Sequence, residues 1–573
     1  MSNRNIKFIY SYLKKYITVW MSGIVLTAIA MLVKIKYSWL MKDLIDQALM
    51  PKDLNILLKL CITFPLLVLI CSFITYLKEY CFNFVSQKSI IGIREDIFSH
   101  VLQLPYRFFV KNDNGQIVNR LINDVENTQE AFSDSIVSFI SSIITIVFVS
   151  VWLFFIHWKL AIIVLLIVPF FVIITKCLWK KIGMLSRNVS EKRGEITSFL
   201  QQTIISIELV KLVGNNQFFL HNFAIMCKKL SIDTVKLRMS RIFANSLWES
   251  ILTPYQGVIY LVGGFWYITV GSPSIGTMLA FINYVNLLIP AMLNLIDDIT
   301  NMSVGASSLE RLYEYLDEEP QSSGEKLLST ESTINIEFKN VCFSHINTEF
   351  EINNLNLSVY DKDFVTIIGH TGSGKSTLLK LLVRMYDIDS GEILINGINI
   401  KEYNLNDLRM CFGFVQQEVH LLKGTIRTNL TFANPEITEE KIEYALRVAQ
   451  LDKFVNNLPN KLDTIVGERG ITLSGGERQR LSVARMILCK NKVVVMDEPT
   501  SALDMKTEHI ILKSLQPIFN QITTIVIDHR LSTLDYAKKI VVMEHGKIIE
   551  EGGYNELIAK NGKLCELLNC KKE

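Results

Sequence analysis

Apolar positions run in long, almost unbroken stretches through the first 300 residues, and beyond residue 334 they fall into short Val and Ile runs separated by helical patterns. A helix that crosses a membrane needs about 20 mainly apolar residues. Six stretches meet that length, near residues 17–37, 55–77, 135–156, 159–178, 252–271 and 275–296. Residues 136–156 and 160–174 carry almost no charge and are parted only by His157, Trp158 and Lys159, so they predict a helical hairpin. The first half, residues 1–311, is therefore predicted as an all-α six-helix transmembrane domain.

Basic residues in the flanking segments favour the cytoplasmic side. They gather after the second span (Lys78, Lys88, Arg94, Arg107, Lys111, Arg120) and after the fourth (among them Lys180, Lys181, Arg187, Lys211 and Arg241). This predicts that both segments and both termini lie inside. The two segments are long yet keep helical spacing, so they read as extensions of the spans with turns near 112–116 and 214–222 that reach the following domain. Residues 5–16 set Ile6, Phe8, Ile9 and Leu13 among Lys7, Lys14 and Lys15, the pattern of an amphipathic helix on the inner membrane surface. Glu249, Asp297 and Asp298 sit near the inner ends of spans five and six. Two readings stay open for them: charges just below the bilayer, paired with neighbouring bases, or a negative cavity mouth that favours cationic amphiphiles.

Residues 312–333 are acidic and Ser-rich, as in a linker, and residues 334–573 alternate strand and helix patterns as an α/β nucleotide-binding domain with a largely parallel sheet does. A strand at 364–368 runs straight into Gly369-His370-Thr371-Gly372-Ser373-Gly374-Lys375-Ser376-Thr377 and then into a helix. That is the phosphate-binding loop in the context it requires. Its glycines let backbone N–H groups close around phosphate oxygens, Lys375 supplies charge at the β and γ phosphates, and the Ser376 hydroxyl is suited to Mg²⁺. A second strand, 493–496, ends in Asp497 and Glu498, one carboxylate for the metal and one for the attacking water.

Composition narrows the field further. The formal net charge is only +3 over 573 residues, which gives no basic field for nucleic acid. Ten cysteines are scattered singly, without the close pairs of a zinc site, and read as reduced thiols in a chain facing the cytosol. The first apolar run is a full span, so no cleavable signal is expected, nor any peptidase domain ahead of the spans.

Between the two nucleotide motifs stands Leu473-Ser474-Gly475-Gly476-Glu477, which resembles the signature of the ABC ATPase family. Other elements follow in family order: Gln417 resembles the Q-loop glutamine, Val466-Gly467-Glu468-Arg469-Gly470 the segment before the signature, Ser501-Ala502-Leu503-Asp504 the D-loop, and His529 the switch histidine. With six spans ahead of it, the whole chain is similar to bacterial ABC exporter half-transporters for drugs, lipids or peptides. Two positions depart from the family pattern. His345 stands where a Tyr usually stacks on adenine, and imidazole offers less area, so affinity or base selectivity is expected to be weaker unless His345 is a plain surface residue. Glu477 replaces the commoner Gln.

The resemblance implies a dimer, favoured as a homodimer with a heterodimer left open, in which ATP lies between one chain's phosphate loop and the other's Ser474, Gly475 and Gly476. Asp504 would join that site, Glu498 would activate water, His529 would touch the γ-phosphate, and Ser376, Gln417 and Asp497 would organise Mg²⁺. The function implied is ATP-driven export of an amphipathic or hydrophobic substrate across a bacterial cytoplasmic membrane by alternating access, with an ATP-gated channel or a lipid flippase as alternatives.

Overall fold

The computed structural model describes residues 3–112, 114–328, 333–345, 351–432, 434, 436–467, 473–489, 491–528 and 530–569. The chain divides into two compact units, one of residues 1–102 and 114–318, the other of residues 103–113 and 319–573.

The first unit is helical. An N-terminal helix α1 (Asn3–Leu13) leads through a short 3₁₀ turn into α2 (Ile17–Asp43), and α3 (Leu54–Gln103) follows. A 71-residue helix, Ser135–Ile205, covers the third and fourth expected spans, and its backbone leaves helical geometry at His157 (φ −160°, ψ 95°), where the sequence predicts the turn. There the Leu160 N–H donates to the His157 Nδ1 at 3.4 Å, so the ring caps the helix that restarts. Helices Asn216–Val270 and Ile275–Leu316 complete the set. Among the described residues four helices are apolar and long enough to span, within 10–49, 54–103, 115–164 and 275–316. The fourth and fifth expected spans run along the two long helices, and the side chains of 165–180 and 247–254 lie outside the described residues.

Why these helices need a bilayer is visible on α3, where Leu58, Ile62, Leu69 and Phe73 are each more than 60% exposed. Such a continuous apolar face is stable only against lipid or another apolar surface. Met31, Leu153, Phe281, Tyr284 and Leu288, from three helices, form the packed interior of the unit. Its polar end is tied by ion pairs: Arg311 with the buried Asp124, Arg120 with Glu314, and Arg4 of α1 with Asp317. The Arg4 guanidinium also lies 3.9 Å from the centre of the Tyr313 ring. The expected turn near 214–222 is shorter than its sequence suggests, because Gly214 (φ +69°) makes the reversal alone and Asn215 caps the next helix by accepting from Phe218 N–H. Of the three acidic residues, Asp298 is buried and Asp297 exposed, and the Glu249 side chain lies outside the described residues.

The second unit holds two sheets. Strands β1 (Ile336–Ser344), β2 (Glu351–Val359), β4 (Ser390–Ile395) and β5 (Ile398–Asn399) form an antiparallel sheet in the order β2-β1-β4-β5, which the sequence reading did not separate. Strands β3 (Phe364–Gly369), β6 (Phe412–Val415), β9 (Val493–Asp497), β10 (Thr523–Ile527) and β11 (Lys539–Glu544) are parallel, with β12 (Lys547–Gly552) added antiparallel at one edge, in the order β12-β11-β3-β10-β9-β6. A two-strand pair, β7 (Gly424–Thr425) with β8 (Ile465–Val466), stands apart. The near-continuous apolar runs of β3, β9 and β10 are explained by burial on both faces. Placing β3 and β9 on either side of β10 sets the ends of the two motif strands near one another, in the crevice where open parallel sheets bind ligands.

This unit also contains helix α4 (Tyr106–Lys111), which ends at Asn112, where the expected turn near 112–116 begins. Residues 321–326 of the expected linker are bonded into it, through Gln321 N–H to Gln103 O at 2.9 Å and Lys326 N–H to Glu402 O at 3.0 Å.

Candidate functional site

The phosphate loop owes its shape to two glycines with positive φ, Gly372 (+83°) and Gly374 (+104°), a backbone region closed to most side chains. Gly374 stands at the N-terminus of helix Lys375–Leu382, so the free N–H groups of that turn face the loop. The Lys375 ammonium reaches back over the loop and donates to Gly369 O and His370 O, both at 2.8 Å. Burial lowers its pKa, while Glu498 and Asp497 act in the opposite sense.

A cleft of about 420 Å³ brings together His345, Thr371, Gly372, Gly374, Lys375, Ser376, Thr377, Gln417, Asp497 and Glu498. Within it the Gln417 amide Nε2 donates to Glu498 Oε2 at 2.8 Å. Glu498 itself has a positive φ of 45°, and its backbone N–H donates to Ile527 O at 2.9 Å, so the carboxylate is carried on a strained corner bonded to the neighbouring strand. Burial raises the Asp497 pKa, and a hydrogen bond from the Ser376 hydroxyl partly offsets it. A desolvated carboxylate beside a hydroxyl and an amide is an all-oxygen donor set, which fits a hard cation such as Mg²⁺ completed by phosphate oxygens and water.

His345 follows β1 directly and its Nε2 lies 3.4 Å from Thr377 Oγ1 on the phosphate-loop helix. Burial, then the nearby Lys380, pushes its pKa down, so the ring is neutral at pH 7. Ser373 is buried in the loop, and a side chain on Gly369 would strike Met543 O at 2.2 Å and Ser373 Oγ at 2.7 Å.

Ser474, Gly475, Gly476 and Asp504 do not line this cleft. Ser474 and Gly475 are exposed at the start of helix Gly475–Leu488, where Ser474 Oγ accepts from Glu477 N–H (3.3 Å) and Glu477 Oε2 accepts from Ser474 N–H (2.7 Å). This capping box explains Glu477: its carboxylate satisfies a free N–H and favours the positive helix end. Asp504 caps the next helix, Met505–Phe519, by accepting from Thr507 N–H at 3.0 Å. His529 and residues 468–472 lie outside the described residues.

Two further groups of residues escaped the sequence reading. Gln479, buried on the signature helix, donates to Glu498 O (3.0 Å) and Ser501 Oγ (3.1 Å) and accepts from Ala502 N–H (2.9 Å), tying the signature helix to the Glu498 corner. Glu508, 2% exposed, holds both Arg530 and Ser532, the residues that follow His529. No motif marks either network, since each joins segments more than 18 positions apart in sequence.

Two family models and several known proteins match the chain. The ABC transporter transmembrane region matches residues 20–292, and the ABC transporter family matches residues 352–501. The chain is 31% identical over 536 residues to an ATP-dependent lipid A-core flippase of Salmonella typhimurium, covering 92% of this chain and 91% of that protein. The Escherichia coli protein of the same name is 30% identical over the same share of both chains. The fold superposes with a TM-score of 0.85 on a bacterial Atm1-family ABC exporter with ATP bound, 23% identical and covering 97% of this chain and 98% of the other. A multi-pass helical membrane domain followed by an α/β ATPase domain with a mixed sheet, on one polypeptide, makes this chain a member of the ABC transporter family, an ATP-driven half-transporter of the exporter type.

Proposed function

We propose that the protein exports an amphipathic or hydrophobic substrate across the cytoplasmic membrane as a dimer, with residues 1–311 as its membrane domain, 334–573 as its ATPase domain and both termini inside. The observation that carries this reading is the hydrogen bond between Gln417 and Glu498 beside Lys375, which sets a carboxylate and a cation across one phosphate-sized cleft.

Lys375 and the N–H groups of the phosphate-loop helix hold the triphosphate and neutralise its charge. Ser376, Asp497 and Gln417 would hold Mg²⁺, which supplies further neutralisation of the phosphate oxygens. Glu498 orients the attacking water and takes its proton, with Gln417 fixing the orientation of its carboxylate. His529 contacts the γ-phosphate. The exposure of Ser474 and Gly475, away from their own chain's cleft, supports their use by a second copy, whose phosphate loop they would cover together with Asp504. Closure of that dimer around two ATP molecules would turn the membrane cavity outward, and hydrolysis would reset it.

Lipid is the second reading of the substrate, and the naming of the lipid A-core flippases favours it. Proteoliposomes of the purified protein test both, with a fluorescent phospholipid, a cationic amphipathic dye and an apolar peptide as probes. The reading expects ATP-dependent movement of at least one probe, lost in Lys375→Ala. Movement that persists in Lys375→Ala, or passive ion conductance opened by ATP in place of movement, contradicts export.

A further inference from the structure

The phosphate-loop helix, Lys375–Leu382, ends in a backbone turn of the kind that usually takes glycine. Arg384 N–H donates to Leu381 O (3.0 Å) and Met385 N–H to Lys380 O (2.9 Å), and Arg384 itself has a φ of +49°. An arginine in that left-handed position costs backbone energy that a glycine would not, so the compensation has to come from its side chain. That side chain is 1% exposed and donates to Asp387 Oδ1 and to Ser322 Oγ, both at 3.1 Å. Ser322 stands in the segment that follows helix Ile275–Leu316.

The same turn is gripped through its carbonyl. Arg384 O accepts from Gln321 Nε2 (2.8 Å) and from Arg409 Nη2 (2.9 Å), and Arg409 Nη2 also donates to Gln321 Oε1 (2.9 Å), which closes a triangle of hydrogen bonds. The Gln321 N–H adds its bond to Gln103 O, at the end of α3. Residues 323–326 lie along 402–405: Ser323 Oγ accepts from Leu405 N–H (3.0 Å), Gly324 N–H donates to Tyr403 O (3.0 Å), and a side chain on Gly324 would meet Glu402 O at 2.1 Å. Leu405 opens the short helix Leu405–Met410 that carries Arg409, so the segment is bonded at both ends of that helix. The acidic, Ser-rich composition of the segment predicts a solvated linker, and these bonds place it within the ATPase unit instead.

We propose that Gln321 is a positioning residue for ATP hydrolysis: through the Arg384 carbonyl it fixes the far end of the helix whose N-terminus carries Lys375 and Ser376. A helix of eight residues moves as one body, so a tilt at its C-terminus displaces the phosphate loop. Misplacement by about 1 Å at a reacting centre costs up to about 10² in rate. The N–H groups and the Lys375 ammonium that bind phosphate belong to the loop itself and move with it. Binding therefore survives such a tilt better than the alignment of the attacked phosphate with Glu498 does. The proposal rests on the phosphate cleft being the ATP site.

The test measures steady-state ATP turnover and equilibrium ATP binding by the full-length protein in lipid nanodiscs with Mg²⁺. Gln321→Ala and Arg409→Ala should each lower kcat about tenfold and leave the Kd for ATP within about twofold. Because both act through one carbonyl, the double variant should lose no more than the stronger single one, whereas independent structural defects would multiply. Retained ATP binding shows at the same time that each variant is folded. An unchanged kcat in Gln321→Ala, loss of ATP binding in step with kcat, or multiplied losses in the double variant overturns the proposal and leaves the segment a tether. Lys375→Ala should lose ATP binding, and if it binds and turns over ATP as the wild type does, the phosphate-cleft reading fails instead.

Discussion

At the residue scale, the proposed contact with the base rests on a single position. With His345 neutral and its Nε2 against Thr377, the imidazole offers a smaller surface than the phenol expected there. His345→Ala should weaken ATP binding by about five- to tenfold, and His345→Tyr should match or exceed the wild type, as read by equilibrium titration with fluorescent ATP. Equal affinity in all three proteins would return His345 to an ordinary surface role. Gln479 provides the other residue-scale prediction. Because it is buried and bonded to Glu498 O and Ala502 N–H, Gln479→Ala leaves those groups without partners, at a cost of about 1–3 kcal/mol. We expect kcat for ATP to fall with KM nearly unchanged, and Gln479→Glu to recover only part of the rate, since it keeps an acceptor for Ala502 but no donor for Glu498. A change confined to KM would contradict this role. The motifs themselves were legible, because phosphate chemistry demands glycines, a lysine and a hydroxyl at fixed spacing. Even the Ser474-x-x-Glu477 capping box is written in the sequence, although Glu477 there reads as a variant of the signature glutamine. Gln479 was not legible, because its three partners come from another segment and only the fold brings them to it.

Among the elements, the parallel strands follow from short Val and Ile runs, the phosphate-loop helix from the glycine-rich loop ahead of it, and the hairpin break from the His157-Trp158-Lys159 step between two apolar runs. The antiparallel sheet was harder to read, since β1 and β2 alternate buried and exposed residues and carry register shifts that blur their period. The extension after the second span was read as helical down to a turn at Asn112, and α4 does end at Asn112, but Pro105 divides the helix ahead of it, which the spacing did not show. One prediction belongs at this scale. The helix Met505–Phe519 is tied to the strand end after β10 through Glu508, which is almost wholly buried under Arg530 and Ser532. Glu508→Gln weakens both contacts and should cost about 2 kcal/mol, discounted because Arg530 is partly exposed. Thermal unfolding of the ATPase unit in the full-length protein should shift down by several degrees, and an unchanged midpoint would remove Glu508 from the structural account.

At the scale of the whole molecule, six stretches read as spans because a bilayer demands length and apolarity together; four helices among the described residues meet that demand, and the exposed apolar face of α3 is its structural counterpart. The arrangement of charge was less legible. Asp297 and Asp298 look alike as neighbours, yet Asp298 is buried and Asp297 exposed, so a matched pair at an aqueous mouth is not what the helix presents. Hydropathy cannot tell which side of a helix faces a cavity; packing decides it. The central claim is that a carboxylate-activated water at the phosphate cleft drives the transporter, and ATP turnover by the pure protein in nanodiscs, wild type beside Glu498→Gln, tests it most directly. The amide keeps the shape and the Gln417 neighbour but cannot take a proton, so ATP binding should persist while turnover falls about 10²- to 10⁴-fold. Turnover at the wild-type rate in Glu498→Gln would contradict the account.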